Sequence, residues 1–97
     1  MNQYAKGRRA EYRYRDKLLA DGAFHSVLRM AGSRGPVDLV AVGDRFNLWV
    51  QVKSTVDDHP NFSSELQALK EWPVPERDMK QLAVWLQKRR TWVILPA

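Results

Sequence analysis

The chain has 97 residues, no cysteine and a net charge of +5 from 16 basic and 11 acidic residues. This length predicts one domain spanning residues 1–97, and the absence of cysteine excludes a disulfide framework or a thiolate metal site. The N-terminal segment is charged and lacks the apolar core of a signal peptide, and no apolar run approaches the roughly 20 residues of a membrane span. The sequence therefore predicts a soluble, cytoplasmic protein.

The basic surplus lies in the first third of the sequence. Residues 1–34 contain eight Lys and Arg against three Asp and Glu, whereas residues 35–97 contain eight of each. A one-sided basic field attracts polyanions, and salt screens that attraction. The asymmetry favours a nucleic-acid partner, but a solvated helix whose charge serves only solubility would give the same pattern.

The first half of the chain predicts one helix followed by three strands. Residues 4–20 contain strong helix formers and no proline, and the Asp-Gly pair after them is a stop signal. Residues 23–30 and 37–42 are apolar segments that favour strands, and the loop between them contains a Gly-Pro step. Residues 46–53 alternate apolar and polar side chains, which predicts a strand with one apolar and one polar face.

The second half of the chain predicts two helices and a last strand. Residues 63–72 favour a short helix that two prolines end, and residues 76–89 favour a longer helix because apolar residues recur at helical spacing. Those residues are Met79, Leu82, Ala83 and Leu86. Residues 91–95 predict the strand. The core order α-β-β-β-α-β predicts an α/β fold with a mixed central sheet flanked by helices.

Four polar residues stand out against this framework. Glu11 lies on the helical stripe that also carries Leu18, where a carboxylate is costly unless it meets a cation or a metal. Asp38 opens a hydrophobic strand, although Asp is depleted from strands. Gln51 and Lys53 are two residues apart on the next strand and therefore point the same way. If these two strands form a hairpin, the three strand residues come close across the sheet.

Such a cluster has the groups that metal-dependent phosphodiester hydrolysis requires. A divalent ion activates water and neutralises charge that builds on the phosphate, and Mg²⁺ prefers oxygen ligands. The candidate ligands are the carboxylates of Glu11 and Asp38, the amide oxygen of Gln51 and the carbonyl of Val52, with Mg²⁺ as the expected ion and Mn²⁺ as a substitute. Lys53 is the candidate that orients the attacking water or stabilises the anionic transition state.

Each of the four residues also has an ordinary structural explanation. Glu11 is spaced to form an ion pair with Arg15 one helical turn later. Asp38 is placed to cap the Gly-Pro loop, and Gln51 and Lys53 suit a strand face that is open to solvent. The joint pattern is less expected by chance than any one member.

Four segments occur in a suggestive order: GRRAE at residues 7–11, Arg29, GSRGPVDLVA at residues 32–41 and QVKST at residues 51–55. Together they resemble the motifs of archaeal-type Holliday junction resolvases, which belong to the PD-(D/E)xK nuclease superfamily. The resemblance implies a restriction-endonuclease-like core and a Mg²⁺-dependent homodimer that nicks four-way DNA junctions in pairs.

The resemblance also implies roles for individual residues. Glu11, Asp38 and Gln51 would bind the metal, Lys53 would be catalytic, and Ser33 would lie in a loop close to the scissile strand. Basic residues would hold the DNA phosphates, with the following candidates: Lys6, Arg8, Arg9, Arg13, Arg29 and Arg34. On sequence alone, Ser33 also suits a simple turn and Arg34 a solvated loop.

The chain departs from the family pattern at Gln51, where an acid is usual. Related restriction-type nucleases use a Gln-x-Lys version, but a neutral ligand binds Mg²⁺ more weakly, and an inactivated site would look the same. Three alternatives therefore stay open. They are another repair or restriction-type nuclease of the superfamily, a catalytically silent junction-binding module, and a basic α/β domain with no nucleic-acid role.

Other conspicuous residues have structural interpretations. His25 and His59 lack metal-ligand spacing and are interpreted as structural or surface residues. Trp85 and Trp92 are expected to complete the core, with a dimer interface as the alternative. Three consecutive basic residues at 88–90 suit the end of the predicted second-half helix, where the helix dipole favours cations, so they need no DNA contact.

Overall fold

Helix α1 covers Gln3–Ala20 in the computed structural model of the chain, which describes residues 3–30 and 35–97, with side chains from residue 7 onward. The helix ends where predicted because Gly22 adopts a φ of +74°, a left-handed conformation that glycine tolerates easily. Ala10, Tyr14 and Leu18 recur every fourth residue and form its buried stripe. Among the described residues, no helix is long and apolar enough to cross a lipid bilayer.

Within the described ranges, five strands form one mixed sheet in the order β1-β2-β3-β4-β5. The strands are β1 (Ser26–Arg29), β2 (Leu39–Val42), β3 (Leu48–Thr55), β4 (Met79–Leu86) and β5 (Thr91–Pro96). Neighbouring strands are antiparallel except β3 and β4, which are parallel. Parallel strands need a crossover connection, and helix α2 (Ser63–Glu71) provides it. The predicted α/β class with a mixed central sheet flanked by helices is thus confirmed, and the described residues form five strands and two helices.

The helix predicted at residues 76–89 is wrong, because Met79–Leu86 forms strand β4. Leu82 and Val84 are two apart and pack in the cluster under α2, while Ala83 between them packs in the cluster under α1. A strand that is covered on both faces is apolar at nearly every position. Some of its apolar residues are then three or four apart by coincidence, which mimics the spacing of an amphipathic helix. The shorter helix predicted at residues 63–72 is confirmed, and the element order is α-β-β-β-α-β-β.

The two helices lie on opposite faces of the sheet, and each covers its own apolar cluster. The cluster under α1 consists of Ala10, Tyr14, Leu18, Leu39, Ala41, Leu48, Val50, Val52 and Ala83. The cluster under α2 consists of Val37, Leu69, Leu82, Val84 and Leu86. The alternation predicted for the third strand is therefore confirmed. Its second face carries Trp49, which packs against the cluster under α2, the buried Gln51 and the partly exposed Lys53.

The amino end of β3 is fastened by a buried carboxylate, that of Asp78. This carboxylate accepts the backbone N–H of Asn47 at 2.9 Å and the indole N–H of Trp49 at 2.8 Å. The backbone hydrogen bond from Asn47, followed by the bond from Trp49, holds the pKa of Asp78 below its usual value. Asp78 joins the start of β4 to the start of β3 and so fixes the register of the two parallel strands.

Aromatic rings fill the space between α1 and the β4–β5 hairpin. The Tyr14 and Trp92 ring centroids are 4.7 Å apart, and those of Trp85 and Trp92 are 5.2 Å apart. The Tyr14 hydroxyl donates to the side-chain oxygen of Gln81, and burial raises the pKa of Tyr14 to about 12. Trp92 thus contributes to the core, as predicted.

Candidate active site

The candidate site lies where β3 extends beyond β2. The ladder between these strands covers only Leu48–Val50 of β3, whereas β3 continues to Thr55 beside β4. In open α/β sheets, ligands bind in the crevice beyond the carboxyl ends of the strands. The parallel strands β3 and β4 both end at this edge, so the topology brings their last residues to the place where a ligand is expected.

Asp38 is fixed at the point where β2 and β3 separate. It lies one residue before β2 rather than within it. Its N–H donates to the carbonyl of Val50 and its carbonyl accepts the N–H of Met30, both at 2.8 Å. Its carboxylate oxygen Oδ2 accepts the N–H of Val52 at 2.8 Å. Because a strand N–H points along the sheet, the carboxylate lies at the exposed margin of β3 in the gap between the strands.

Gln51 lies one residue before Val52 on β3 and has a buried oxygen without a partner among the described residues. The pairing of β2 with β3 ends at Leu39 and Val50, so Gln51 is the first residue of β3 beyond it. Gln51 is only 8% exposed, so the alternative of a solvent-facing glutamine is wrong. Its Oε1 atom is buried and accepts no hydrogen bond from the described residues. An unsatisfied buried acceptor costs about 1–3 kcal/mol, which is unusual unless the oxygen has another role.

Glu11 approaches Asp38 from α1 and pairs with Arg29 on β1. It comes from the face of the sheet that α1 covers, whereas Gln51 and Lys53 share the face of β3 that carries Trp49. Arg29 Nε lies 3.5 Å from Glu11 Oε2, and the Glu11 side chain is 14% exposed. Arg15, the alternative partner, lies 3.2 Å from Asp16 instead. The carboxylate of Glu11 therefore lies on the core side of the helix, as the sequence indicated, and its partner comes from another element.

Burial raises the pKa of both Glu11 and Asp38. Burial is the largest cause of the raised pKa of Glu11, and the neighbouring Asp38 raises it further, against the opposing effects of Arg29 and Arg8. Burial also raises the pKa of Asp38, while the N–H of Val52 and the charges of Lys53 and Arg29 lower it. Two carboxylates in this environment accept a proton or a cation more readily than exposed ones.

Lys53 opens onto a surface depression beside these groups. The depression has a volume of about 470 Å³, and its lining consists of Gly7, Val52, Lys53, Ser54, Thr55, Val56 and Gln87. Lys53 shares a face of β3 with Gln51, and its charge reaches Asp38. Of the candidate ligands only Val52 lines the depression, so the depression adjoins the site at the carboxyl end of β3.

Gln87 belongs to this depression, and the sequence analysis missed it. The residue follows β4 directly and was hidden inside the helix wrongly predicted at residues 76–89. A stronger signal was available: the run LAVWL is apolar at consecutive positions and precedes a polar turn, a pattern typical of a buried strand.

The predicted phosphate-binding residues are placed in part. Arg8, Arg9 and Arg13 are exposed on α1, and the charge of Arg8 reaches Glu11. The Arg13 guanidinium carbon lies 4.3 Å from the centre of a Trp85 ring, so Arg13 is engaged by that ring. Arg29 is engaged by Glu11. The predictions for Ser33, Arg34 and the Lys6 side chain fall outside the described residues.

The predicted ligands fit a hard cation in their chemistry. The described residues contain no group of three or more His, Cys, Asp or Glu side chains that could hold a metal ion. The predicted set instead combines two carboxylates with the unpartnered amide oxygen of Gln51. Mg²⁺ is commonly held by one or two carboxylates and keeps several waters, so this oxygen-only set suits it. Val52, whose N–H holds Asp38, places its peptide at the same point.

No protein-family model matches this sequence, and no curated protein matches it significantly. The interpretation of the site therefore rests on its residues and their placement.

Proposed function

We propose that this protein is a Mg²⁺-dependent, structure-selective DNA endonuclease that resolves four-way junctions by paired nicks. The observation that carries the proposal is the buried, unpartnered Oε1 of Gln51, one residue before Val52, whose N–H holds the carboxylate of Asp38. A buried oxygen without a donor is costly in a purely structural role. The adjacent Lys53 and the basic face of α1 supply the charges that a phosphodiester substrate requires.

Each residue of the site has a part in the proposed reaction. Asp38, Glu11 and Gln51, with the carbonyl of Val52, hold the cation. The cation supplies an acidified water and charge neutralisation at the phosphate. Lys53 stabilises the negative charge that develops on the phosphate, and its ammonium is one of two charges that oppose the raised pKa of Asp38. Arg29 opposes the raised pKa of Glu11 and pairs with its carboxylate, so it acts through Glu11 in this proposal.

Branched DNA and a homodimer belong to the same proposal. Paired nicks need two sites, and a two-fold dimer would present them to the two-fold symmetric arms of a junction. Recognition would rest on shape and phosphate contacts. The described residues leave one edge of β5 without a strand partner, and Val93 and Ile94 on that strand are 39% and 37% exposed. This edge is our candidate for the dimer interface.

Cleavage of a synthetic four-way junction in the presence of Mg²⁺ tests the proposal. The comparison uses a linear duplex of the same sequence, the Asp38→Asn variant, and Asp44→Asn as a matched control at an exposed turn. We expect symmetric nicks in the junction only. Asp38→Asn should bind the junction but lose cleavage by about a hundredfold or more, because it loses a ligand charge. Equal cleavage of the duplex would remove junction selectivity, and an active Asp38→Asn variant would remove this site.

A catalytically silent junction-binding module is the second candidate, and Gln51 is the observation that favours it. With glutamine at this position, only two carboxylates converge on the site. This candidate predicts junction binding without cleavage in Mg²⁺ or Mn²⁺, and recovery of cleavage in Gln51→Glu. Forks and flaps serve as additional substrates, because preferential cleavage of either would indicate another nuclease of the same superfamily.

A further inference from the structure

We propose that the turn between β4 and β5 is a second DNA-binding surface, which holds the backbone of the strand next to the proposed active site. The surface, called here the basic turn, consists of Lys88, Arg89 and Arg90. The inference rests on the proposed function, because it assigns a contact to the same substrate. It adds a surface from the second half of the chain to the basic face of α1.

The basic turn is fastened to the carboxyl end of β3. The N–H of Gln87 donates to the carbonyl of Thr55 at 2.9 Å, and its side-chain Nε2 donates to Ser54 Oγ at 2.9 Å. Gln87 also lines the depression that contains Lys53. Since Lys88 follows Gln87 directly, the basic turn borders the depression beside the proposed catalytic lysine.

The charges of the basic turn are available to a ligand. Lys88 and Arg90 are exposed, and neither forms an ion pair with another described residue. The Arg89 side chain is 57% exposed, and its Nε lies 3.6 Å from Asp58 Oδ1, an ion pair that partly occupies it. The turn therefore presents two unpaired cations and one partly paired cation at the margin of the depression.

The backbone of the turn also points to a binding role. Arg90 adopts a φ of 52°, and its N–H donates to the carbonyl of Leu86 at 2.8 Å to close the turn. Glycine or asparagine suits this left-handed conformation better than arginine. Arginine is unfavourable in this backbone conformation, so its presence at an exposed turn favours a binding role for the Arg90 side chain.

The position of the turn indicates the kind of partner. Gly7 of α1 lines the same depression as Gln87, so the helix that carries Arg8 and Arg9 and the basic turn flank Lys53 on two sides. Consecutive Lys and Arg at a surface bind the phosphates of nucleic acids without reading sequence. A DNA strand that places a phosphate at Lys53 would continue onto the basic turn.

Two double variants test the inference by junction binding without a divalent ion, measured over a range of NaCl concentrations. The test variant is Lys88→Ala with Arg90→Gly, in which glycine suits the backbone of the turn. Arg89 is kept because it pairs with Asp58. The matched control, Lys70→Ala with Arg45→Ala, removes the same two charges from exposed positions elsewhere on the protein. Melting temperatures of both variants check that the fold is intact.

We expect the test variant to bind about tenfold or more weakly at low salt. When the logarithm of affinity is plotted against the logarithm of salt concentration, each phosphate contact contributes about 0.7 to 0.9 to the steepness of the line. The loss of two contacts should therefore make the line less steep by about 1.4 to 1.8. The control should keep the wild-type slope. An unchanged slope in the test variant, or an equal loss in the control, would overturn the inference.

The outcome separates this inference from the proposed function. If the wild-type protein binds junctions with salt sensitivity but does not cleave them, the enzyme proposal fails and the slopes still decide the role of the basic turn. If the wild-type protein shows no salt-sensitive DNA binding, both are overturned.

Discussion

The two ends of strand β3 both meet buried or half-buried carboxylates, and their electrostatic situations are opposite. At the amino end, Asp78 accepts hydrogen bonds from Asn47 and Trp49, which lower its pKa. At the carboxyl end, burial raises the pKa of Asp38 and of Glu11. Hydrogen-bond donors outweigh burial at Asp78, whereas the N–H of Val52 at Asp38 and the guanidinium of Arg29 at Glu11 do not outweigh it. Our proposal assigns a cation to the second pair of carboxylates.

The amide of Gln51 extends the same contrast. Near the amino end of β3, the side-chain amide of Asn47 donates to Asp78 at 3.4 Å. At the carboxyl end, the Gln51 oxygen is buried and unpartnered. Polar groups with partners therefore mark the structural end of the strand, and the unpartnered oxygen of Gln51 marks the end where a ligand is expected.

The largest expected effect is a response of stability to Mg²⁺ that depends only on the carboxyl end of β3. Binding to the folded protein alone stabilises it by about 2.7 kcal/mol when the ion concentration is a hundred times the dissociation constant. For a domain of this size, that corresponds to a rise in melting temperature of roughly 10 °C or more. Thermal melts with and without Mg²⁺ measure the rise.

Variants at the two ends of the strand sharpen this measurement. The rise should disappear in Asp38→Asn and persist in Asp78→Asn, although the latter starts from a lower melting temperature. Asp44→Asn serves as the control, since Asp44 lies at an exposed turn and its partner, His25, is also exposed. An equal response in Asp38→Asn would show that the ion binds elsewhere, and the contrast between the two ends would lose its functional meaning.

Much of the carboxyl end could be predicted from the sequence, because its residues depart from simple patterns. Asp38 breaks an apolar strand, and Glu11 interrupts an amphipathic stripe. Their partners could not be predicted. The N–H of Val52 becomes available to Asp38 only because β2 ends earlier than β3. Arg29 becomes the partner of Glu11 only because α1 packs across β1, a contact that overrides the local spacing to Arg15.

The second half of the chain was harder to predict for a different physical reason. Strand β4 is covered by α1 on one face and α2 on the other, so its apolar residues lose the period-two alternation that identifies an exposed strand. The wrong helix then concealed both Gln87 and the basic turn. The length of a continuous apolar run, and the turn that follows it, therefore distinguish a buried strand from a helix better than apolar spacing does.

A smaller effect is expected when the Gln51 amide is removed. Gln51→Met replaces the unpartnered oxygen by an apolar group of similar length, so the cost of about 1–3 kcal/mol for an unsatisfied acceptor is relieved. We expect the ion-free variant to be more stable than the wild-type protein by about 1 kcal/mol and to respond less to Mg²⁺. Urea denaturation with and without the ion measures both quantities.

The matched control for this variant is Gln67→Met on α2. Gln67 donates to Glu71 at 2.9 Å on the exposed face of the helix, so its replacement should change stability little. Destabilisation of the ion-free protein by Gln51→Met would indicate that the amide makes a stabilising contact. Gln51 would then belong with Asp78 among the structural groups.

The smallest expected effect is the pH dependence of stability at the two ends of β3. The pKa of Asp78 is lower in the folded protein than its unfolded value of about 3.8. The Asp78 carboxylate therefore stabilises the fold above about pH 3.8, and this stabilisation is lost as the pH falls through the folded pKa. The pKa of Asp38 is raised. The protonated Asp38 carboxyl group therefore stabilises the fold fully below its unfolded pKa. This stabilisation is lost as the pH rises through its folded pKa. At neutral pH, Asp78→Asn should destabilise the ion-free protein, whereas Asp38→Asn should stabilise it.

Urea denaturation of both variants from acidic to neutral pH checks these opposite signs. Relative to the wild-type protein, the deficit of Asp78→Asn should shrink as the pH falls, because the wild-type carboxylate becomes protonated and loses its advantage. The surplus of Asp38→Asn should also shrink, because protonation relieves the buried charge. Asn at position 38 can still accept the N–H of Val52 through its amide oxygen, so the comparison isolates the charge. If Asp38→Asn lost stability at neutral pH, the anion would be favoured by its surroundings without a cation, and the argument for a ligand at this end of β3 would fail.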